Sequence, residues 1–196
     1  IARAAEGWGA PLANRLINLL ADTLEHTHIG QTLDLNARNR RDFTLDDYMA
    51  IVREKTGYYL AAPILGGAMA ASAPEPALRS IQRFGLHVGP MFQVIDDLID
   101  LTEGKGRGEI GSDIREGKRS YLVAWTASRA SDAERSRLFD ILDLPREETS
   151  GEHIGEAVAM FERHGAMQAA RDYAARSHAS ALEALADAPA ALRDLL

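Results

Sequence analysis

DDLIDLTEGKGRGEIGSDIREGKRS, Asp96 to Ser120, places three aspartates at positions 1, 2 and 5 of a hydrophobic run and follows them with a glycine loop. That loop carries Lys105, Arg107, Lys118 and Arg119. At about 100° per residue, Gln93, Asp96, Asp97 and Asp100 stand at i, i+3, i+4 and i+7 and project from one stripe of a helix. Met91, Ile95 and Leu98 fall on the opposite side. A surface helix also carries a charged stripe, but such stripes mix signs, and like charges at i,i+4 cost roughly a few tenths of a kcal/mol per pair. Three aspartates with no Lys or Arg among them accept that repulsion without a structural return. A hard divalent cation supplies one, because Mg²⁺ takes one or two carboxylates plus waters and phosphate oxygens. A half-open site of that kind suits a diphosphate.

Two familiar phosphate motifs are excluded from the loop. Gly106, Gly108 and Gly111 match a dinucleotide-binding fingerprint literally, but no hydrophobic strand precedes them. Gly117-Lys118 is followed by Arg119 where a Walker loop needs Ser or Thr. A basic segment able to fold over phosphates remains, with Asp113 and Lys118 at its far end.

Outward from this stretch the periodicity is helical. Leu12, Leu16, Leu19, Leu20 and Leu24 give a helix over 11–38. Thr44 and Asp47 form a capping box that starts a second helix near 45, running to about 72. Ala73-Pro74-Glu75-Pro76 reads as a turn, a short helix follows to Phe84, and Gly85 to Leu101 forms another with Pro90 as a kink or start. Thr102 to Gly117 is a loop. The runs 118–130, 132–142, 151–164 and 166–187 are amphipathic or Ala-rich helices. The expected fold is all-α, an antiparallel helix bundle, in a single domain over 1–196.

Composition narrows the function. Net charge is -7, and the basic residues are scattered except around 105–119, so no nucleic-acid partner is expected. There is no cysteine, so any metal sits on oxygen or imidazole, and the composition fits a reducing compartment. Thr56 to Pro74 is uncharged but contains Pro63, Gly66 and Gly67, and reads as a buried core helix rather than a membrane span. His26 and His28 lie at i,i+2 and point to different faces, against a shared metal. Trp8 and Trp125 read as core or interface side chains.

Four ordered motifs then resemble the trans-isoprenyl diphosphate synthase (polyprenyl synthetase) family. Gly30-Gln31-Thr32-Leu33-Asp34-Leu35 is similar to its GQxLDL segment, and Tyr48 with Lys55-Thr56-Gly57 to YxxxxxxKTG. Phe92 to Asp100 is similar to FQxxDDxxD, and Gly111 to Lys118 to GxDIxxGK. The resemblance implies the isoprenoid synthase type of helix bundle, a cytoplasmic homodimer, and Mg²⁺-assisted ionisation of an allylic diphosphate that is then joined to isopentenyl diphosphate. By the same resemblance, Asp96 would bind the metal, Asp97 and Asp100 would hold its water shell, and Asp113 would add water-mediated support. Lys55 and Lys118 would clamp the allylic diphosphate, Thr56, Gln93 and Tyr59 would face the developing cation, and Gln31 would face the cavity. Ionisation builds negative charge on the leaving group and positive charge on carbon, so a cationic end and a neutral, water-excluding end make chemical sense.

The family's first aspartate-rich motif, DDxxD, has no counterpart here, and Asp46-Asp47 is better read as helix-start chemistry. The chain is therefore expected to be the later two-thirds of a longer protein. Glu109 stands where many relatives have a lysine, with Lys105 or Arg107 as substitutes. A non-catalytic or regulatory subunit of a heteromeric synthase is the alternative. A terpene cyclase is disfavoured, because its Asn, Ser and Glu motif is not found.

Overall fold

The computed structural model describes residues 6–102, 110–186 and 188–193. Lys105, Arg107, Glu109 and the glycines at 104, 106 and 108 lie outside the described residues. Among the described residues every regular element is helical: α1 (Ala10–Ala37), α2 (Leu45–Val52), a π-helical segment (Arg53–Gly57), α3 (Tyr58–Ala70), α4 (Glu75–Thr102), α5 (Ser112–Arg115), α6 (Tyr121–Ala127), α7 (Asp132–Leu142), α8 (Gly151–Arg163), α9 (Ala166–Ala184) and α10 (Ala190–Arg193). The all-α reading holds. No helix among the described residues is long and apolar enough to cross a membrane.

Local chemistry starts the helices where the sequence places them. The Asp47 N–H donates to Thr44 Oγ1 at 3.1 Å, and the Thr44 N–H donates back to Asp47 Oδ2 at 2.9 Å, closing the capping box ahead of α2. Arg40 donates to both Asp47 oxygens at 2.8 and 3.2 Å, and this guanidinium holds the Asp47 carboxyl below its ordinary range. Ser131 with Glu134 and Ser150 with His153 build equivalent boxes at α7 and α8. Thr44→Ala removes one of the two bonds of the first box and is expected to cost about 1 kcal/mol in a denaturant titration. No change in the midpoint would remove the cap from the account.

The chain divides into two compact units. The first comprises Ile1–Gln31, Val52–Pro90 and Arg176–Leu196. Its core holds Ala61, Leu65, Leu78 and Ile81, with Leu19 and Ile64 packed against them, and a second cluster of Phe84, Ala181, Ala184, Leu185 and Ala188.

Here the structure corrects four readings. Glu75 and Pro76 belong to the first turn of α4, not to a turn, and α4 runs unbroken through Gly85 and Pro90 to Thr102. Gly85 and Gly89 are contact points rather than breaks. A Cβ on Gly85 would collide with Ala61, and one on Gly89 with the backbone of Gly57, so their absence lets α4 lie directly on the π segment and α3. Pro63 likewise lies inside α3. The uncharged α3 is less interior than expected, with only Ala61 and Leu65 buried. Trp8 is 59% exposed and is not a core residue.

The second unit comprises Thr32–Ile51 and Met91–Ala175. Helices α6, α7 and α8 pack on one another, and Leu122, Val123, Leu138, Phe139, Ile141 and Phe161 are buried. Full burial of each such side chain is worth about 1.5–3 kcal/mol. Trp125 joins this unit by donating its indole N–H to the His164 carbonyl at 3.0 Å.

Candidate active site

In the C-terminal half of α4 the pattern is inverted relative to an ordinary amphipathic helix. Val94, Asp97 and Asp100 are buried, while Phe92 and Ile95 are exposed. The carboxylate stripe therefore faces the interior of the second unit, where each buried oxygen needs a donor to offset its lost hydration.

The donors are present. Asp97 is 1% exposed. Its Oδ2 accepts the Tyr48 hydroxyl at 2.8 Å and the Tyr121 N–H at 2.9 Å, and its Oδ1 accepts Lys118 Nζ at 2.7 Å. Asp100 is fully buried, and its two oxygens accept the Ser112 hydroxyl and the Asp113 N–H. Asp100 thereby holds the start of α5 and, with it, Asp113. Asp96 is half-buried and accepts Gln93 Nε2 at 3.2 Å.

Lys118 stands among the carboxylates. Its ammonium lies 2.8 Å from Asp113 Oδ2 and 4.0 Å from Asp96 Oδ2, besides its bond to Asp97. Gly117 sets up this position from the left-handed region at φ 66, where any Cβ would strike the Leu142 carbonyl. Burial works against the charge on Lys118, but Asp97 and Asp113 outweigh it and hold the ammonium protonated, above its ordinary range. Burial pushes the Asp97 carboxyl up, while Lys118, the Tyr121 N–H and the Tyr48 hydroxyl pull it back. Burial, then the neighbouring Asp97, pushes the Tyr48 phenol well above its usual value, so it stays a donor. One carboxylate oxygen each from Asp96, Asp97 and Asp113 lies within 4.8 Å of the others, an oxygen-only set of the type a hard divalent cation takes.

The loop reading needs correction at its far end. Residues 112–115 form α5, and Arg119 turns inward at 3% exposure. Its guanidinium donates to the Arg40 and Gly117 carbonyls and to Asp143 Oδ1 at 2.6 Å, and it stacks over Phe139. Arg119 is a structural cation of this unit rather than a basic loop residue.

Of the other residues singled out from the sequence, Gln31, Lys55, Thr56 and Tyr59 lie in the first unit and Asp34 in the second. Lys55 and Thr56 sit half-buried in the π-helical segment, a backbone form with one extra residue in the turn that is frequent at functional sites. Gly30 of α1 backs onto Lys55, and a Cβ there would come within 2.7 Å of the Lys55 Cα. Tyr59 is 62% exposed and borders an apolar groove with Leu16, Leu20, Leu60 and Pro63. Gln31 is exposed and Asp34 half-buried. His26 meets Glu54 at 2.5 Å and stacks on Tyr58, whereas His28 meets the Leu24 carbonyl.

Residues 5–161 match the Polyprenyl synthetase family. The chain belongs to this family. A short chain isoprenyl diphosphate synthase of Methanothermobacter thermautotrophicus is 34% identical over 142 residues, 71% of this chain and 42% of that protein. Among solved structures, a geranylgeranyl pyrophosphate synthase of Corynebacterium glutamicum, complexed with isoprenyl diphosphate and magnesium, is similar with a TM-score of 0.87 at 25% identity, over 96% of this chain and 54% of that one. A polyprenyl synthase of Caulobacter crescentus, complexed with calcium and isoprenyl diphosphate, is similar with a TM-score of 0.80 at 27% identity, over 90% and 54%. The chain spans about half the length of the curated relatives it matches. As a member of this family, it has the all-α isoprenoid synthase fold expected from its motifs.

Proposed function

We propose that the protein carrying this chain is a prenyltransferase that joins isopentenyl diphosphate to an allylic diphosphate, with Mg²⁺ as its metal. The observation that carries this reading is the meeting of Asp96, Asp97 and Asp113 oxygens around the Lys118 ammonium. The Corynebacterium and Caulobacter relatives, crystallised with an isoprenyl diphosphate and a hard divalent cation, support it.

Asp96, the least buried of the three aspartates on the stripe, holds the cation directly. Asp97 and Asp100, whose oxygens already take protein donors, serve its water shell, and Asp113 adds a further oxygen. Bound there, the cation supplies Lewis-acid charge neutralisation on a diphosphate leaving group. Lys118 presents a fixed positive charge at the same place. Gln93 commits its amide nitrogen to Asp96, which directs the amide oxygen away from it. That oxygen is the end of a neutral dipole suited to a developing carbocation, since it cannot trap the cation as a carboxylate would. In the first unit, Lys55 and Gln31 are assigned to substrate binding, and Thr56 and Tyr59 to the cation's surroundings. A cytoplasmic homodimer belongs to the same proposal.

The test is incubation of the intact protein with labelled isopentenyl diphosphate and allylic primers of increasing length. Labelled products longer than the primer are expected with Mg²⁺, lost on chelation with EDTA and restored by added Mg²⁺. Absence of incorporation at every primer length would overturn the enzymatic reading and favour a non-catalytic subunit.

A further inference from the structure

Lys118 lies in the midst of the three carboxylates proposed for the metal. Its ammonium contacts Asp97 and Asp113 and comes within 4.0 Å of Asp96, and its side chain is only 18% exposed. An ordinary phosphate-binding lysine extends into solvent, where its hydration is preserved. This one is held by acids. Three carboxylates against one ammonium leave two negative charges uncompensated, the charge of one divalent cation.

The three acids are not equivalent partners. Asp97 is locked, with Oδ2 taken by Tyr48 and by the Tyr121 N–H, and Oδ1 facing the ammonium at 2.7 Å. Parting Lys118 from Asp97 would leave a buried carboxylate unbalanced, which is strongly unfavourable. Asp113 and Asp96 are reachable, with 13% and 33% of their side chains exposed. A cation entering from solvent meets those two first.

Resting on the metal reading above, we propose that Lys118 is the internal counter-cation of this site. Its ammonium gathers Asp96, Asp97 and Asp113 when no divalent cation is bound, and it cedes Asp113 to the incoming cation while keeping Asp97. Lys118 is thus a positioning residue for the metal, and metal binding is an exchange of one cation for another on Asp113.

Two measurements on the protein without substrate test this. Lys118→Met removes the competing charge, so Mn²⁺ affinity, followed by electron paramagnetic resonance, is expected to rise about tenfold, since like charges a few ångströms apart repel strongly at a partly buried site. Wild-type binding with equal or weaker binding by the variant would overturn the exchange while leaving the metal reading intact. No Mn²⁺ binding by either protein would overturn both. The second measurement needs no variant and is safe against a folding defect. The ¹⁵Nζ resonance of Lys118 in the wild-type protein is expected to shift as Mg²⁺ alone is titrated to saturation. A resonance unmoved at saturation would overturn the exchange, because an ammonium that gives up Asp113 changes its hydrogen-bond partners.

Discussion

Asp96→Ala is expected to reduce Mg²⁺-dependent release of diphosphate from an allylic substrate on the order of a thousandfold, equivalent to about 4 kcal/mol of transition-state stabilisation, while the protein stays folded. The reasoning separates Asp96 from its neighbours. Its side chain is 33% exposed, and its contacts include a hydrogen bond donated by the Gln93 side-chain amide and a 4.0 Å approach to Lys118. Exposed contacts of that kind contribute within about 1 kcal/mol to stability. Far-UV circular dichroism and the thermal midpoint should therefore match the wild type. Turnover that survives the substitution would take Asp96 out of the metal site.

The adjacent residue should behave in the opposite way. Asp97→Ala deletes the carboxylate on which Tyr48, Lys118 and the Tyr121 N–H all converge and takes from a largely buried ammonium its shortest ion pair. Removing one partner of a buried ion pair costs about 3–5 kcal/mol, a fall in Tm on the order of 10 °C for a chain of this size. Asp97→Asn should recover only part of it. The amide oxygen can still accept from Tyr48 and Tyr121, but its NH₂ group would face the Lys118 ammonium donor to donor. A thermal midpoint unchanged in Asp97→Ala would mean that the buried network carries no stability.

Two aspartates side by side are thus expected to differ in how far the fold depends on them, and no property of the pair DD announces the difference. The sequence shows both on one stripe of α4, and that much is correct. The direction of the stripe depends on donors supplied by Tyr48, 49 residues before Asp97, and by Lys118 and Tyr121, 21 and 24 residues after it. Arg119 shows the same limit. In the sequence it is one more cation of a basic stretch beside Lys118, and the fold turns it inward onto Asp143 and the Arg40 and Gly117 carbonyls.

What the sequence by itself determined is the part written in short-range periodicity and spacing. It yields the all-α class, the capping box at Thr44 and the order of four motifs that place the chain in the Polyprenyl synthetase family. These follow from interactions within about one helical turn, which neighbouring residues encode directly. Tertiary structure alone decided that α4 passes through Gly85 and Pro90 without a break, because the glycines are needed against Gly57 and Ala61. It also decided that Lys55 and Thr56 ride on a π-helical turn and that Asp97 and Asp100 of the carboxylate stripe are buried. A buried charge is tolerated only where distant segments bring it donors, and that partnership is a property of the folded chain.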